Sequence, residues 1–144
     1  MKKKPIQYSQ AKKEAPLQVL QEAEVLYQLS TDQFSVYSFE KLNERLQLSQ
    51  AEWAAILHIS DRTLQRYLKD GKSFTGFQSE LLHHLRRLTD TGLQLFASPE
   101  AFRQWLRADK PGLGQPLLFA SLQSITGIAL LQQALGRMAY GVYS

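Results

Sequence analysis

Four side chains able to read a nucleic acid, Arg62, Gln65, Arg66 and Lys69, fall at offsets of three and four inside "LHISDRTLQRYLKDGKSF" (57–74). On a helix those offsets place them along one face. Arg and Gln pair bidentately with guanine and adenine edges, whereas Lys69 and Lys72 are better suited to phosphate. Gln50, further upstream, is positioned to meet the sugar-phosphate backbone, where a helix dipole also favours phosphate. With Thr63 added, the expected DNA contacts are Gln50, Arg62, Thr63, Gln65, Arg66, Lys69 and Lys72. Six basic residues and two acidic ones, Asp70 and Glu80, lie between Arg62 and Arg87, so positive charge gathers where such a reader needs it.

Other chemistries find little support. The chain has no cysteine, and His58, His83 and His84 stand in no metal-binding spacing with another His or a carboxylate. Glu80 and Asp90, ten residues apart on one expected helix, make no acid-base pair. No nucleophile, base and orienter can be assembled. "GLGQP" is the nearest approach to a phosphate loop, and Pro116 denies it the helix that a cradle requires. The expectation is a protein without metal or cofactor that is not an enzyme.

Basic side chains read DNA only when something braces their helix, and "LSQAEWAAILHISDRTLQRYLKDG" supplies the form: a bracing helix, a tight turn and an outward-facing second helix. Ser49 with Glu52 three residues on is a capping box. Trp53, Leu57, Ile59, Leu64 and Tyr67 supply the inward face, and Ala54 is small where the helices approach. The turn falls at His58, a position that calls for left-handed geometry and more often holds Gly. Ser60 or Asp61 caps the second helix. The alternative, a solvated basic face on a structural helix pair, stays open at this point.

Around this pair the periodicity predicts an all-α fold. The 144 residues, 44% of them hydrophobic, suffice for one domain or two small ones sharing a core. Residues 1–16, with Lys2, Lys3, Lys4, Lys12 and Lys13, read as a flexible basic arm. "LQVLQEAEVLYQL" (17–29) has helical spacing, and its apolar face needs a partner surface, self-association being one candidate. Breakers at "LQLSQ", "HISD" and "DGKSFTG" leave helices near 39–46, 50–57, 61–69 and 76–96. The longest presents Phe77, Leu81, Leu85, Leu88 and Leu95 as a buried stripe and acts as a spine between two halves. Beyond Ser98 and Pro99 a short helix carries Phe102, Trp105 and Leu106, with Trp105 expected in the core. A helical turn and an apolar helix over about 125–139 follow, closed by Gly141 within a tail, Tyr140 to Ser144. No segment alternates as a half-buried strand would. The expected division is an arm (1–16), a helix plus helix-turn-helix region (17–75) and a second helical domain with its tail (76–144).

A net charge of +4 and a pI near 9.4 lean toward an anionic partner. The first residues lack the apolar core of a secretory signal, and no run is long enough to span a bilayer, so the expected location is the cytoplasm without membrane attachment.

A DNA-binding module alone would end near residue 75, and half the chain follows. The order "ISDRTLQRYL", "SELLHHLRRLTDTGLQLFASPEAFRQWL" and "LGQPLLFASLQSITGIALLQQALGRMAYGVYS" resembles the Xre/MbcA/ParS-like antitoxins, over roughly residues 39–144. The last run is similar to that family's Gly-containing loop, Pro and Leu-Leu, Gly-started helix and Arg-x-x-Tyr-Gly ending. It differs in the loop "RADKPGLGQP", where Gly112 and Gly114 are split by Leu113 instead of paired.

The resemblance implies the antitoxin of a type II toxin-antitoxin module. Its usual partner is a RES-domain toxin that depletes NAD, neutralised by direct contact, while the helix-turn-helix half represses the shared promoter within an oligomer. A short arm leaving a rigid helix end can plug a partner's pocket at little ordering cost. The toxin contacts are therefore expected at Arg137, Tyr140, Gly141, Val142 and Tyr143, near the toxin's NAD pocket, with an aromatic ring and a carboxylate standing in for parts of that ligand. Tail tyrosines folded back on the protein's own core are the alternative. For the whole chain the alternative is a stand-alone helix-turn-helix regulator whose second half only dimerises it. A homodimer on operator DNA is expected in either case, with half-sites about one helical turn apart.

Overall fold

The computed structural model describes residues 32–110 and 119–141. The arm (1–16), the helix expected over 17–29, the loop glycines Gly112 and Gly114 with Pro116, and Val142, Tyr143 and Ser144 lie outside the described residues.

Six helices account for most of the described chain, as expected of an all-α protein. They are α1 (Val36–Leu46), α2 (Gln50–Leu57), α3 (Asp61–Asp70), α4 (Gly76–Leu95), α5 (Pro99–Arg107) and α6 (Ile125–Ala139), with a 3-10 helix, Phe119–Gln123, before the last. The starts of all but α4 are set by short side chains. Ser35, Ser49, Ser60, Ser98 and Ser124 each accept a hydrogen bond from the backbone N–H three residues on, supplying a partner for an otherwise orphaned donor. Ser49 and Glu52 close the reciprocal capping box. The cap at Ser35 also starts α1 three residues earlier than the apolar periodicity implied, which picked up the helix only at Phe39.

One expectation is corrected by a short strand pair: β1 (Gln33–Phe34) runs antiparallel to β2 (Phe74–Thr75), pairing Gln33 with Thr75 and Phe34 with Phe74. Two residues are too few to show an alternating pattern. Phe34 and Phe74 are nevertheless both buried, which anchors the chain before α1 to the entry of α4.

The described residues from Gln33 onward form one compact unit and share a single core running from Phe34 to Leu135. The long helix α4 is its spine, touching both strands, α1, α5 and α6. It buries Leu81, Leu82, Leu85 and Leu88 together with Ser79, Thr89 and Gly92. Phe77 and Leu95, expected in that stripe, are instead 42% and 39% exposed. They lie in the first and last turns of α4, where the adjoining Phe74 and Phe96 pack against the core instead. Gly92 lets Phe102 approach, since a Cβ there would stand 2.0 Å from the ring.

Beneath α2 and α3, Phe39 packs on Trp53 and Phe74 with ring centroids 4.7 and 5.2 Å apart. Trp53 donates its indole N–H to Asn43 Oδ1 at 2.7 Å, so the buried ring loses no hydrogen bond. Trp105 is half-buried against the core and near Phe96 and Phe102, as expected of a packing residue. Lys110 is buried at the end of α5, donating from Nζ to the Ala108 carbonyl at 2.6 Å and lying 4.6 Å over the Trp105 ring. Burial holds its ammonium below the usual lysine range. Among the described residues no helix is long and apolar enough to cross a membrane, and no group of three or more His, Cys, Asp or Glu gathers as for a metal.

Candidate nucleic-acid and partner interfaces

The turn between α2 and α3 is made as the sequence suggested. His58 adopts φ 59° and ψ 40°, the left-handed geometry, and its N–H bonds back to Ala54 and Ala55. Gln47 does the same at the end of α1, with φ 55°, at a position that carried no such signal. Ser60, not Asp61, caps α3; Asp61 lies in the first turn, where a carboxylate complements the helix dipole.

With Leu64 buried and Tyr67 half-buried inward, Arg62, Gln65, Arg66 and Lys69 are exposed on the opposite face. Thr63 is half-buried and tied into the cap, its N–H and hydroxyl each 3.0 Å from Ser60 Oγ. Gln50 is exposed, and its Nε2 donates to the Asp61 carbonyl at 3.5 Å, so the start of the bracing helix meets the start of α3. Lys72 is exposed beyond the end of α3 with Nζ 5.5 Å over the Tyr67 ring. None of Arg62, Arg66, Lys69 and Lys72 takes part in an ion pair among the described residues. The structure therefore gathers Gln50, Arg62, Thr63, Gln65, Arg66 and Lys69 around one helix, with Lys72 beyond its C-terminus. Uncompensated cations beside Gln and Thr are able to bind phosphate and to hydrogen-bond base edges.

At the other end of the sequence, α6 terminates with Tyr140 N–H bonded to the Gly136 carbonyl at 3.2 Å, and Gly141 in left-handed geometry at φ 69°. Tyr140 is 85% exposed, the most open of the large apolar side chains described. Arg137 is half-buried in the last turn. Arg137, Tyr140 and Gly141 thus share one helix end, separate in sequence from the exposed basic face of α3.

Two family models match along the chain. Residues 26–87 match the antitoxin Xre-like helix-turn-helix domain, and residues 91–141 match the antitoxin Xre/MbcA/ParS C-terminal toxin-binding domain. The chain belongs to the Xre/MbcA/ParS-like antitoxin family. It is an antitoxin with a DNA-binding helix-turn-helix domain and a toxin-binding domain, and both matches extend into α4. Comparison with curated proteins found no match.

Sequence reasoning missed how the antitoxin's two domains grip each other. Arg107, at the end of α5, donates from Nη1 and Nη2 to both carboxylate oxygens of Glu52 at 2.7 and 2.9 Å, while Glu52 also accepts the Ser49 N–H of the capping box. The Arg107 hydrogen bonds, outweighing the opposing effect of burial, hold the Glu52 carboxyl at about 2 in place of the ordinary 4.5. The same guanidinium lies 4.9 Å over the Phe119 ring. At the other end of the bracing helix, His58 Nε2–H donates to the Gln123 carbonyl at 2.8 Å. Arg45 pairs with Asp90, and Arg103 donates to the Arg45 carbonyl at 2.9 Å. Partners 55 and 65 residues apart in the chain leave no local spacing to read.

Proposed function

We propose that this antitoxin neutralises a RES-domain, NAD-depleting toxin by direct contact that occludes the toxin's active site, and that it represses its own operon as a homodimer on operator DNA in the cytoplasm. The order of motifs resembles that of antitoxins with such partners, and the reaction then belongs to the toxin, this chain being no enzyme. Arg62, Gln65 and Arg66 read bases; Gln50, Thr63, Lys69 and Lys72 hold phosphates. Arg137, Tyr140, Gly141, Val142 and Tyr143 form the inhibitory arm.

The observation that carries the inhibitory assignment is Tyr140, 85% exposed at the end of a helix whose inner face is buried. An aromatic ring held in solvent on a rigid base binds with little further loss of freedom. The test is co-expression with the product of the adjacent gene, scoring complex formation and growth for the full chain and for a chain ending at Ala139. Rescue by the full chain and loss on truncation supports the reading. Equal rescue by both removes the arm from the mechanism, and no complex with either leaves a regulator whose second domain serves only assembly.

A further inference from the structure

A groove of about 470 Å³ opens between α4 and α6, lined by His84, Arg87, Asp90 and Thr91 on one side and Ile128, Ala129 and Gln132 on the other. Thr91, Ile128, Ala129 and Gln132 belong to the toxin-binding domain. We propose that this groove is a second anchor for the toxin, taking an acidic side chain on Arg87 and His84 and an adjoining apolar side chain against Ile128 and Ala129. The proposal rests on the toxin-neutralising reading above and extends the toxin interface from the arm along α6.

Charge selects the occupant. Asp90 is the one carboxylate lining the groove, and it is engaged by Arg45. Exposed Arg87 has no ion-pair partner among the described residues; its Nη2 donates instead to His84 Nδ1 at 3.1 Å. Because Nδ1 accepts, the proton of a neutral His84 resides on Nε2, which remains a donor. Burial, followed by the Arg87 charge, holds the ring below its usual range and so neutral near pH 7. The polar edge thus offers a cation and an N–H, a pairing that suits a carboxylate.

The opposite edge is apolar and its position is fixed. Gln132 Nε2 donates to Thr91 Oγ1 at 2.9 Å, and Thr91 Oγ1 donates to the Arg87 carbonyl at 3.1 Å, tying α6 to α4 along the groove. Ile128 is buried beneath it and Ala129 is exposed at its lip. From Ala129 the outer stripe of α6 runs through Gln133 and Gly136 to Tyr140, at offsets of four, seven and eleven. A side chain added at Gly136 would meet nothing within 4 Å, so this stripe is open. At about 1.5 Å per residue, groove and arm stand roughly 16 Å apart along one helix, a span that one partner surface covers.

The experiment measures three affinities for the full chain carrying Arg87→Glu or Ala129→Trp: for the purified product of the adjacent gene, for operator DNA and for itself. Ala129→Trp fills the groove from an exposed helix position, and thermal melts check that each variant is folded. Weakening of toxin binding by roughly tenfold or more in both variants, with self-association and operator affinity unchanged, is expected. Unchanged toxin affinity in both overturns the proposal. Loss of self-association alone would assign the groove to a second copy, and loss of operator affinity alone would assign Arg87 to phosphate; either overturns it too. If the wild-type chain does not bind the toxin, the parent reading fails with it, an outcome distinct from wild-type binding that the variants retain.

Discussion

Replacing Glu52 by Gln isolates the ion pair that joins the toxin-binding domain to the bracing helix. The amide oxygen can still accept the Ser49 N–H, so the capping box is kept while the charge opposite Arg107 is lost. At about 1.36 kcal/mol per tenfold change in acidity, displacement from 4.5 to about 2 sets a ceiling of about 3.4 kcal/mol. Water takes part of that back, because the Glu52 and Arg107 side chains are 28% and 45% exposed. Screening brings the expected loss at pH 7 to roughly 1–2 kcal/mol, above an ordinary surface pair because the contact is bidentate.

The pH dependence separates this ion pair from simple loss of packing. A carboxyl whose folded-state pKa is depressed contributes stability that is fully present above its unfolded value, near 4.5, and lost as the pH falls through about 2. Urea melts of wild type and Glu52→Gln should therefore differ at pH 7 and converge between pH 4.5 and 2. Added salt should narrow the pH 7 gap. Identical stabilities at pH 7, or a gap that persists unchanged at pH 2.5, would refute the reasoning.

Within α6, Gly127→Ala should cost about 1–3 kcal/mol, because a Cβ there would lie 2.0 Å from the Ser121 carbonyl oxygen and the 3-10 helix would have to shift. Gly136→Ala, with open space around it, should stabilise by about 0.5–1 kcal/mol, and melts that rank the two the other way would contradict the packing. At the operator, Arg62→Ala or Arg66→Ala should cost roughly 1–3 kcal/mol and relax preference at particular bases, whereas Lys72→Ala should reduce the salt slope by about 1. Anisotropy titrations showing equal, sequence-blind losses from all three would remove Arg62 and Arg66 from base reading. Burial lowers the folded-state pKa of His83, and burial with the Arg87 charge lowers that of His84, so both favour the fold while neutral. Stability should fall as the pH drops below their ordinary 6.5, and a His83→Gln, His84→Gln double variant should flatten that limb.

The sequence was most readable where the determining contacts are local. The limits of α2 and the turn at His58 follow from the capping box and the breaker pattern, both of which act within a few residues. The outward placement of Arg62, Gln65, Arg66 and Lys69 follows from burying Leu64, which is a matter of period alone. Phe77 and Leu95 fit the same period and still escape full burial, since Phe74 and Phe96, which lie off that stripe, are the rings that pack against the core at the two ends of the helix. The Phe34–Phe74 pairing and the Arg107–Glu52 contact depend on tertiary placement, for which an isolated Arg or Phe gives no sign.

Those unforeseen contacts bear directly on how the recognition helix is held. Helix α2 is fixed at its start by Arg107 on Glu52 and at its end by the Gln123 carbonyl on His58, and both partners belong to the toxin-binding domain. His58 is also the residue whose left-handed turn sets the direction in which α3 leaves α2. The exposed basic face of α3 is thus held from two sides: from within by Trp53, Leu57 and Leu64 in the core, and through α2 by Arg107 of α5 and by the 3-10 helix. Since the same core continues through Leu85 and Leu88 into Leu131 and Leu135, no break in the core separates the helix-turn-helix domain from the toxin-binding domain. The two domains are distinct in sequence and continuous in packing, so loss of the Arg107 side chain should be felt at α2, the helix that braces α3, and loss of the His58 ring should free the other end of α2 from the Gln123 carbonyl.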